Sequence, residues 1–455
     1  MNGTSSPVDV STKLQRIARL AKESPGMAMT TLAHHIDVAF LREAYRRTRK
    51  DGAVGIDGRT AEDYAADLEA NLEDLLARFK SGRYRAPAVR RVHIPKGSGG
   101  TRPIGIPTFE DKLLQRAVTM VLEAVYEQDF LDCSYGFRPG RSAHQALAVV
   151  WEGLTAMRGG WVLEVDIQSF FDDLDHGQLR DFLDRRVRDG VLRRAIDKWL
   201  TAGVLADGQV KRDKAGTPQG GVVSPLLANV YLHNVLDLWF ENEVRPRLRG
   251  QVFLVRYADD IAIVFKNEND ARRVMEVLPK RFGKYGLTLH PEKTRLVRFP
   301  QPPYRWQAGR RGNSQDLGFE RPGTFDLLGF THYWGRARNG GWALFRKTAA
   351  GRFRRAVRTV YEWLRRYRHW SVADQHRALS RKLCGHWSYY GITGNSRRLS
   401  AFRRIVIRAW QKWLNRRSQG NTMPWSRFNR LLARYPLPHA RVVHSVYRRA
   451  ANPCF

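Results

Sequence analysis

Residues 253–265, FLVRYADDIAIVF, constrain the fold of this chain more than any other segment. Two apolar, β-prone runs flank the adjacent carboxylates Asp259 and Asp260. This pattern predicts two strands joined by a tight turn, with both acidic side chains at the tip. Adjacent carboxylates repel each other, and oxygen ligands on a rigid turn suit Mg²⁺, which would remove the repulsion. The alternative interpretation is an ordinary solvated Asp-Asp turn.

A third carboxylate closes another apolar strand. In residues 161–176, WVLEVDIQSFFDDLDH, Asp166 follows the run that ends at Val165. An isolated carboxylate at the end of a buried strand needs a partner, and a cation shared with Asp259 would supply one. Three carboxylates from two strand regions can hold two metal ions, the arrangement used in phosphoryl transfer. The two segments together therefore favour a metal site over a solvated turn.

The charge of the chain predicts a polyanionic partner. Its 78 Lys and Arg against 44 Asp and Glu give a net charge of +34, so we expect nucleic acid or an acidic membrane surface. The sequence contains no run of about 18 apolar residues, so we expect no membrane-spanning helix. Residues 1–12 lack a signal-peptide pattern. Cys133, Cys384 and Cys454 form no CxxC pair, which argues against a disulfide framework or a cysteine zinc site. A reducing cytoplasm fits this composition.

These blocks resemble a known family. Tyr257-Ala258-Asp259-Asp260 resembles motif C of reverse transcriptases, and Asp166 resembles the motif A aspartate. The full set of blocks is similar to the reverse transcriptases of bacterial group II introns, which also act as splicing maturases. The resemblance runs from about residue 40 to near the C-terminus. YADD on its own is a weak match, but the ordered set of blocks is a strong one.

The resemblance implies an α+β fold of the right-hand polymerase class, with fingers, a palm containing an antiparallel sheet, and an α-helical thumb with domain X. It implies RNA-directed DNA polymerase activity with two Mg²⁺ ions held by Asp166, Asp259 and Asp260, and it adds Ile167 to the metal and nucleotide sites. The implied boundaries are an N-terminal extension at 1–83, fingers at 84–165, a palm at 166–335 that includes a fingers segment at 177–215, and a thumb with domain X at 336–455.

A glycine-rich hairpin is predicted at residues 84–107, YRAPAVRRVHIPKGSGGTRPIGIP. Its tip carries Lys96 and Arg102, and such a hairpin can close over a triphosphate with backbone N–H groups and cations. The resemblance to the fingertip hairpin of reverse transcriptases implies that both residues contact the incoming nucleotide. An exposed basic loop is the alternative.

Two further blocks resemble parts of the family's active site. Residues 134–142, SYGFRPGRS, offer Arg138 and Arg141 as phosphate contacts, with a structural salt bridge as the alternative. Residues 216–229, GTPQGGVVSPLLAN, resemble motif B, which implies that Gln219 and Gly220 lie near the nucleotide and template base. Ser224 before Pro225 also predicts a helix N-cap.

Two more residues are assigned by position within such blocks. The resemblance implies that Phe171, five residues past Asp166, blocks a ribose 2′-OH. We expect Phe170 to face the core, because side chains alternate along a strand. Lys293 in residues 286–297, GLTLHPEKTRLV, resembles the motif D lysine and would act as a general acid towards pyrophosphate; a solvated turn lysine is the alternative.

The C-terminal quarter is strongly basic. Residues 341–455 contain 26 Lys and Arg but only two acidic residues, Glu362 and Asp374. One predicted helix carries an apolar face surrounded by arginines, a pattern that suits a surface following a nucleic-acid backbone. The arginines assigned to nucleic-acid binding are Arg354, Arg355, Arg358 and Arg365. The aromatic block at 383–391 is expected to be mostly core, and the region resembles the thumb and domain X of maturases.

The expected partners are group II intron RNA, an RNA template with a DNA primer, target DNA and dNTPs, with no membrane. One rival function is a stand-alone reverse transcriptase in a bacterial defence system or another bacterial system. Another is a non-catalytic RNA-binding splicing factor with a vestigial palm. The chain offers no cysteine pairs for the C-terminal endonuclease domain of many intron-encoded proteins.

Overall fold

The computed structural model describes residues 7–95, 100–206, 209–211, 220–303, 320–337, 339–417 and 423–446. The chain divides into two compact units. The first unit comprises Met1–Ala143 and Leu163–Leu296, and the second comprises His144–Val162 and Val297–Phe455. The four-part division into extension, fingers, palm and thumb stays a prediction.

The helices before the first hairpin pack around one long apolar helix. They are α1 (Pro7–Glu23), α2 (Val38–Arg47), α3 (Ala61–Ala65) and α4 (Leu68–Lys80), and the long apolar helix is α5 (Phe109–Tyr126), which follows the hairpin. Most of α5 is buried, and both α1 and α2 pack against it. Residues 61–80 form two helices and not one, because the chain leaves the helical conformation at Asp67, the N-cap position of α4. Thr60 and Asp63 form a reciprocal capping box at the start of α3.

Eight strands form two four-stranded sheets. They are β1 (Val89–Pro95), β2 (Thr101–Ile106), β3 (Gly159–Val165), β4 (Val204–Ala206), β5 (Gln209–Lys211), β6 (Val252–Tyr257), β7 (Asp260–Phe265) and β8 (Arg295–Pro300). One sheet has the order β2-β1-β4-β5, in which β1 and β2 form the predicted antiparallel hairpin and β1 pairs with β4 in parallel. The other has the order β6-β7-β3-β8.

Five more helices connect these strands. They are α6 (Ala143–Ala156), α7 (His176–Asp184), α8 (Gly190–Leu200), α9 (Ser224–Leu232) and α10 (Glu268–Gly283). Helices α7 and α8 are separated by a short connection, and the Asp189 side chain caps α8 by accepting from the amides of Val191 and Leu192. The predicted N-cap at Ser224 was wrong by one residue: Val223 holds the cap position, and Ser224 is the first residue of α9.

The second unit contains a β-sheet and a helical bundle. Its remaining elements are β9 (Phe325–Leu327), β10 (Phe330–Arg336), β11 (Trp342–Thr348), α11 (Ala350–Arg366), α12 (Val372–Tyr390), α13 (Ser396–Leu414) and α14 (Trp425–Arg434). The bundle core includes Phe353, Leu364, Trp387 and Trp410. Trp387 is fully buried and Tyr390 is half-buried, so the aromatic block at 383–391 is mostly core, as predicted. None of the described helices combines the length and apolarity needed to cross a bilayer.

Candidate active site

The acidic turn is the hairpin that the sequence predicts. Strands β6 and β7 pair in antiparallel register from Val252↔Phe265 to Tyr257↔Asp260, so only Ala258 and Asp259 form the turn. Ala258 has φ of +56°, a left-handed conformation that two-residue hairpin turns demand and that a non-glycine residue adopts at an energetic cost. Asp259 is half-buried and Asp260 is exposed, so both carboxylates are accessible from solvent.

A neighbouring loop holds the backbone of this turn. The amide of Tyr135 donates to the carbonyl of Arg256 at 2.8 Å, and the amide of Arg256 donates to the carbonyl of Cys133 at 2.8 Å. Gly136 follows directly, and a Cβ at this position would clash with the backbone of Ala258. Close approach of the two backbones therefore requires glycine at position 136.

A fully buried ion pair lies behind the same turn. The guanidinium of Arg256 donates to both carboxylate oxygens of Asp237, at 2.9 Å from Nε and 2.6 Å from Nη2. Neither side chain is exposed. A buried bidentate pair of this kind fixes geometry, and loss of one partner would leave an uncompensated charge. Sequence reasoning missed both residues, although an arginine within the apolar strand β6 was a usable signal.

Asn229 connects this ion pair to the supporting loop. Its Oδ1 accepts from Nη1 of Arg256 at 2.8 Å, and its Nδ2 donates to the carbonyl of Gly136 at 2.7 Å. Asn229 belongs to α9, and it too is buried. Three segments that are distant in sequence thus meet at the backbone of the acidic turn: β6, the loop at 133–136, and α9.

Asp166 lies directly after β3, the strand next to β7 in the sheet. Its side chain is partly exposed, and Nζ of Lys293 lies 2.9 Å from its Oδ2. The carbonyl of Asp166 accepts from the amide of His290 at 2.8 Å, and Ile167 pairs with Leu289. The structure therefore joins the motif A-like and motif D-like segments through both backbone and side chain. The side chain of Ile167 is buried.

The three carboxylates offer oxygen ligands, the kind that a divalent ion prefers. Within the ranges that the structure describes, no group of three or more His, Cys, Asp and Glu side chains is arranged to hold a metal ion. Mg²⁺ usually binds through one or two carboxylates and completes its octahedron with water and substrate phosphates. Asp259 and Asp260 on the turn, with Asp166 on the neighbouring strand, offer accessible oxygens of that kind. Two ions shared by these three carboxylates stay a prediction.

Gly220 positions the motif B-like loop against the first hairpin. Its φ is +122°, and a Cβ there would clash with the carbonyl of Gly105 in β2. Glycine at this position thus allows the loop to touch the strand that carries Arg102, which is exposed. Lys96 and Gln219, the other two residues predicted to bind the nucleotide here, lie outside the described residues.

A buried carboxyl group supports the same loop from behind. Oε1 of Gln115 accepts from the amide of Val222 at 2.7 Å, and its Nε2 donates to Asp111 at 3.1 Å. Asp111 also accepts from the indole of Trp199 at 2.7 Å and from the hydroxyl of Tyr84. Burial raises the pKa of Asp111 to about 6, although these hydrogen bonds act to lower it. Sequence reasoning did not identify Asp111 or Gln115, and no local motif marks them.

The two phenylalanines after Asp166 differ in burial, as predicted, but strand alternation is not the reason. Phe170 is buried and packs near Tyr231, while Phe171 is half-buried with its ring 5.3 Å from that of Phe170. The expected strand alternation was wrong, because both lie in a turn after Ser169, whose φ is +45°. The assignment of Phe171 to sugar selection stays a prediction.

Arg138 forms a structural salt bridge, which the sequence analysis gave as the alternative to a phosphate contact. Its guanidinium is buried, and all its N–H groups have protein partners: Glu127 and the carbonyls of Leu131, Ser134 and Phe130. The predicted phosphate contact is therefore corrected, because this side chain has no donor left for a ligand. Arg141 is partly exposed, pairs with the highly exposed Asp132, and stays a candidate phosphate contact.

The arginines predicted to face nucleic acid lie on the outer face of α11. Arg354, Arg355, Arg358 and Arg365 are all exposed. Phe353, Val360 and Leu364 on the opposite face are buried in the bundle core. The helix therefore presents a cationic surface, as its sequence pattern indicates.

An acidic β-hairpin beside a strand that ends at a third carboxylate, together with a helical C-terminal region, defines an α+β polymerase of the right-hand class. Residues 94–332 match the family model described as reverse transcriptase (RNA-dependent DNA polymerase). The chain belongs to the reverse transcriptase family. Members of this family generally use divalent metal ions.

Relatives include intron-associated proteins. Protein YkfC of Escherichia coli (strain K12) is 33% identical over 327 residues, which cover 63% of this chain and 84% of that protein. The group II intron-encoded protein LtrA of Lactococcus lactis subsp. cremoris is 37% identical over 246 residues, covering 52% of this chain and 40% of LtrA. Nuclear intron maturase 2 of Arabidopsis thaliana is 28% identical over 182 residues, covering 31% of this chain and 24% of the maturase. The chain thus spans less than half the length of both intron-associated relatives.

Proposed function

We propose that this reverse transcriptase binds a group II intron RNA, assists its splicing and copies it into cDNA during retrohoming. The observation that carries the catalytic part is the placement of Asp259 and Asp260 on a hairpin whose strand β7 adjoins β3, the strand that precedes Asp166. The similarity to LtrA supports the intron part. The substrates would be dNTPs and an RNA template with a DNA primer, and target DNA would be a further partner.

The proposed reaction is attack of the primer 3′-OH on the α-phosphate of a dNTP, with pyrophosphate as the leaving group. Asp166, Asp259 and Asp260, with the backbone of Ile167, would hold two Mg²⁺ ions, whose chemistry is to activate the hydroxyl and stabilise the leaving oxygen. Lys293, whose Nζ lies at Asp166, would donate a proton to the pyrophosphate. This role requires that Lys293 turn from the carboxylate towards the leaving group during the reaction.

The nucleotide would lie between the first hairpin and the motif B-like loop. Contact between Gly220 and Gly105 already joins these two segments. Arg102 on the hairpin would contact the triphosphate, and Phe171 would exclude a 2′-OH. Lys96 and Gln219 complete the proposed set on the strength of the family resemblance.

The RNA would bind along the cationic face of α11. Four exposed arginines on one helix neutralise phosphates without reading sequence, which suits recognition of a structured RNA by shape and backbone. Arg141, at the surface of the first unit, would add a further phosphate contact. The affinity of this surface for RNA should fall steeply as the salt concentration rises, because each neutralised phosphate releases counterions.

The test separates chemistry from binding in a single variant. Asp259→Asn should abolish cDNA synthesis in a primer-extension assay, because it removes a carboxylate charge from the metal site. It should leave RNA affinity in a filter-binding assay near that of the parent, because it leaves the arginines intact. Asp181→Asn, on the exposed surface of α7, is the matched control and should retain both activities. Retained extension by Asp259→Asn would refute the catalytic assignment.

The intron assignment has its own measurement. The parent should accelerate splicing of a group II intron RNA, and the fourfold variant Arg354→Gln, Arg355→Gln, Arg358→Gln, Arg365→Gln should lose that effect. A parent that copies RNA but binds intron RNA no better than an unrelated transcript of equal length would favour the stand-alone reverse transcriptase instead.

A further inference from the structure

We propose that the corner between α11 and α12 is a stacking site for unpaired RNA bases, with Trp370 as the platform. The proposal rests on the RNA-binding function proposed above and adds a site and a ligand class to it. The aromatic corner consists of Trp363 near the end of α11, with Tyr367 and Trp370 in the connection to α12. None of these three residues belongs to the arginine face of α11.

The three rings form one contiguous cluster. Their centroids are 5.4 Å apart between Trp363 and Tyr367, 4.4 Å between Tyr367 and Trp370, and 5.9 Å between Trp363 and Trp370. Trp363 and Tyr367 are half-buried, whereas Trp370 is 44% exposed. The corner therefore presents one accessible indole supported from behind by two other rings.

Two side chains hold the backbone of the corner by hydrogen bonds. Nε2 of the buried Gln375 donates to the carbonyls of Tyr367 at 2.8 Å and Arg368 at 3.0 Å, and its Oε1 accepts from the indole of Trp410 at 2.8 Å. Nη2 of Arg417 donates to the carbonyl of Trp370 at 2.6 Å. A surface aromatic fixed in this way loses little conformational freedom when a ligand stacks on it, which favours binding.

Cations lie beside the rings that support Trp370. Nζ of Lys382 is 5.2 Å from the ring centre of Trp363, and the guanidinium of Arg366 is 5.5 Å from that of Tyr367. Aromatic faces together with cations are the combination that binds single-stranded nucleic acid, since the rings stack on bases while the cations neutralise phosphates. The nearby carboxylate of Asp374 is compensated, because it accepts from Ser371 and Arg377.

The charge of the region favours RNA over a protein partner for this surface. Residues 341–455 carry 26 Lys and Arg against two acidic residues, so any ligand of the corner meets a strongly positive field. Stacking on a side chain requires a base that is free of its duplex, because paired bases present only their edges and backbone. The fitting ligand is therefore a loop, bulge or single-stranded segment of RNA.

The test compares Trp370→Ala with Trp425→Ala, a matched control whose indole is 46% exposed on α14. Binding of a twelve-nucleotide single-stranded RNA and of its duplex would be measured at several salt concentrations. Stacking of one base contributes about 1–3 kcal/mol, so Trp370→Ala should weaken single-strand binding by about 5- to 150-fold. The loss should be equal at all salt concentrations, because stacking releases no counterions. Duplex binding should not change, and the control should bind both RNAs as the parent does.

Two further measurements distinguish base stacking from an apolar protein contact and locate the contact. Trp370→Leu keeps apolar bulk but not an aromatic face, so it should weaken RNA binding as Trp370→Ala does, whereas an apolar protein contact would tolerate it. Photocrosslinking with 5-iodouridine in the single strand should map to Trp370 or Tyr367. Unchanged single-strand affinity in both variants, in a parent that binds structured RNA, would overturn the stacking site and leave the proposed function intact. A parent that binds no RNA would overturn both.

Discussion

The ammonium of Lys293 lies 2.9 Å from Oδ2 of Asp166, although 127 residues separate the two in sequence. Backbone hydrogen bonds between the segments around residues 166–168 and 288–290 hold them in this arrangement. A lysine placed at the side chain of a proposed metal ligand is suited to two roles. It would balance the carboxylate charge in the free enzyme, and it would supply a proton when pyrophosphate leaves.

Substitution of Lys293 should separate these two roles. Lys293→Arg keeps a cation beside Asp166 but is a very weak acid, because arginine stays protonated in proteins. We expect the rate of single-nucleotide incorporation, measured in rapid-quench experiments, to fall by about 10²-fold or more, the usual contribution of a general acid. Thermal stability should stay close to that of the parent. An arginine variant with the parental rate would mean that Lys293 acts only through its charge.

Phe171→Ala should admit ribonucleotides. Removal of the ring opens space at the proposed position of the 2′-OH, and steric discrimination of this size is worth about 10- to 200-fold. The measurement is the ratio of kcat/KM for dCTP to that for CTP. Phe170→Leu is the control: this residue is buried, so the variant should lower stability with little effect on the ratio. Equal discrimination in Phe171→Ala and the parent would remove Phe171 from sugar selection.

Removal of one partner from the buried Arg256–Asp237 pair should lower the free energy of unfolding. Arg256→Met leaves the carboxylate of Asp237 buried and unpaired, which typically costs about 3–5 kcal/mol of unfolding free energy in urea titrations. The double variant Arg256→Met, Asp237→Leu should recover most of that loss, because it buries no charge. Its turn would still lack the anchor through Asn229, so primer extension should need more Mg²⁺ for half-maximal rate. A stable double variant with parental Mg²⁺ dependence would limit the pair to a stabilising role.

Asp111 should make stability depend on pH. Its pKa is about 6 in the folded chain and about 3.8 in the unfolded chain, so between these values the folded state binds a proton that the unfolded state has released. The resulting stabilisation is fully present below about pH 4 and is lost as pH rises past 6, a change of about 3 kcal/mol. Asp111→Asn should abolish this contribution. The difference between the urea-unfolding profiles of the two proteins from pH 4 to 7 measures it, and parallel profiles would contradict the raised pKa.

The acidic hairpin was readable from sequence because its determinants are local. The apolar runs on either side of the acidic pair predict a tight turn without help from the rest of the chain, and the structure narrows that turn to Ala258 and Asp259. The amphipathic pattern of α11 was equally local, since exposed and buried residues follow from helical spacing. Arg138 and Arg141 show where such reasoning ends. They belong to one block. The guanidinium of Arg138 is buried and paired with Glu127 and backbone carbonyls, whereas Arg141 is partly exposed and paired with Asp132.

The sequence by itself determined the family, the acidic turn and the basic character of the C-terminal quarter, because short-range patterns and composition carry that information. Only the tertiary structure decided what supports the site: Asp237 and Asn229 behind the turn, Lys293 at Asp166, and Gln375 behind the aromatic corner. These contacts join residues that are far apart in sequence or that no motif marks. Their physical basis is burial, which leaves each polar group to be satisfied by whichever partner the fold brings within hydrogen-bonding distance.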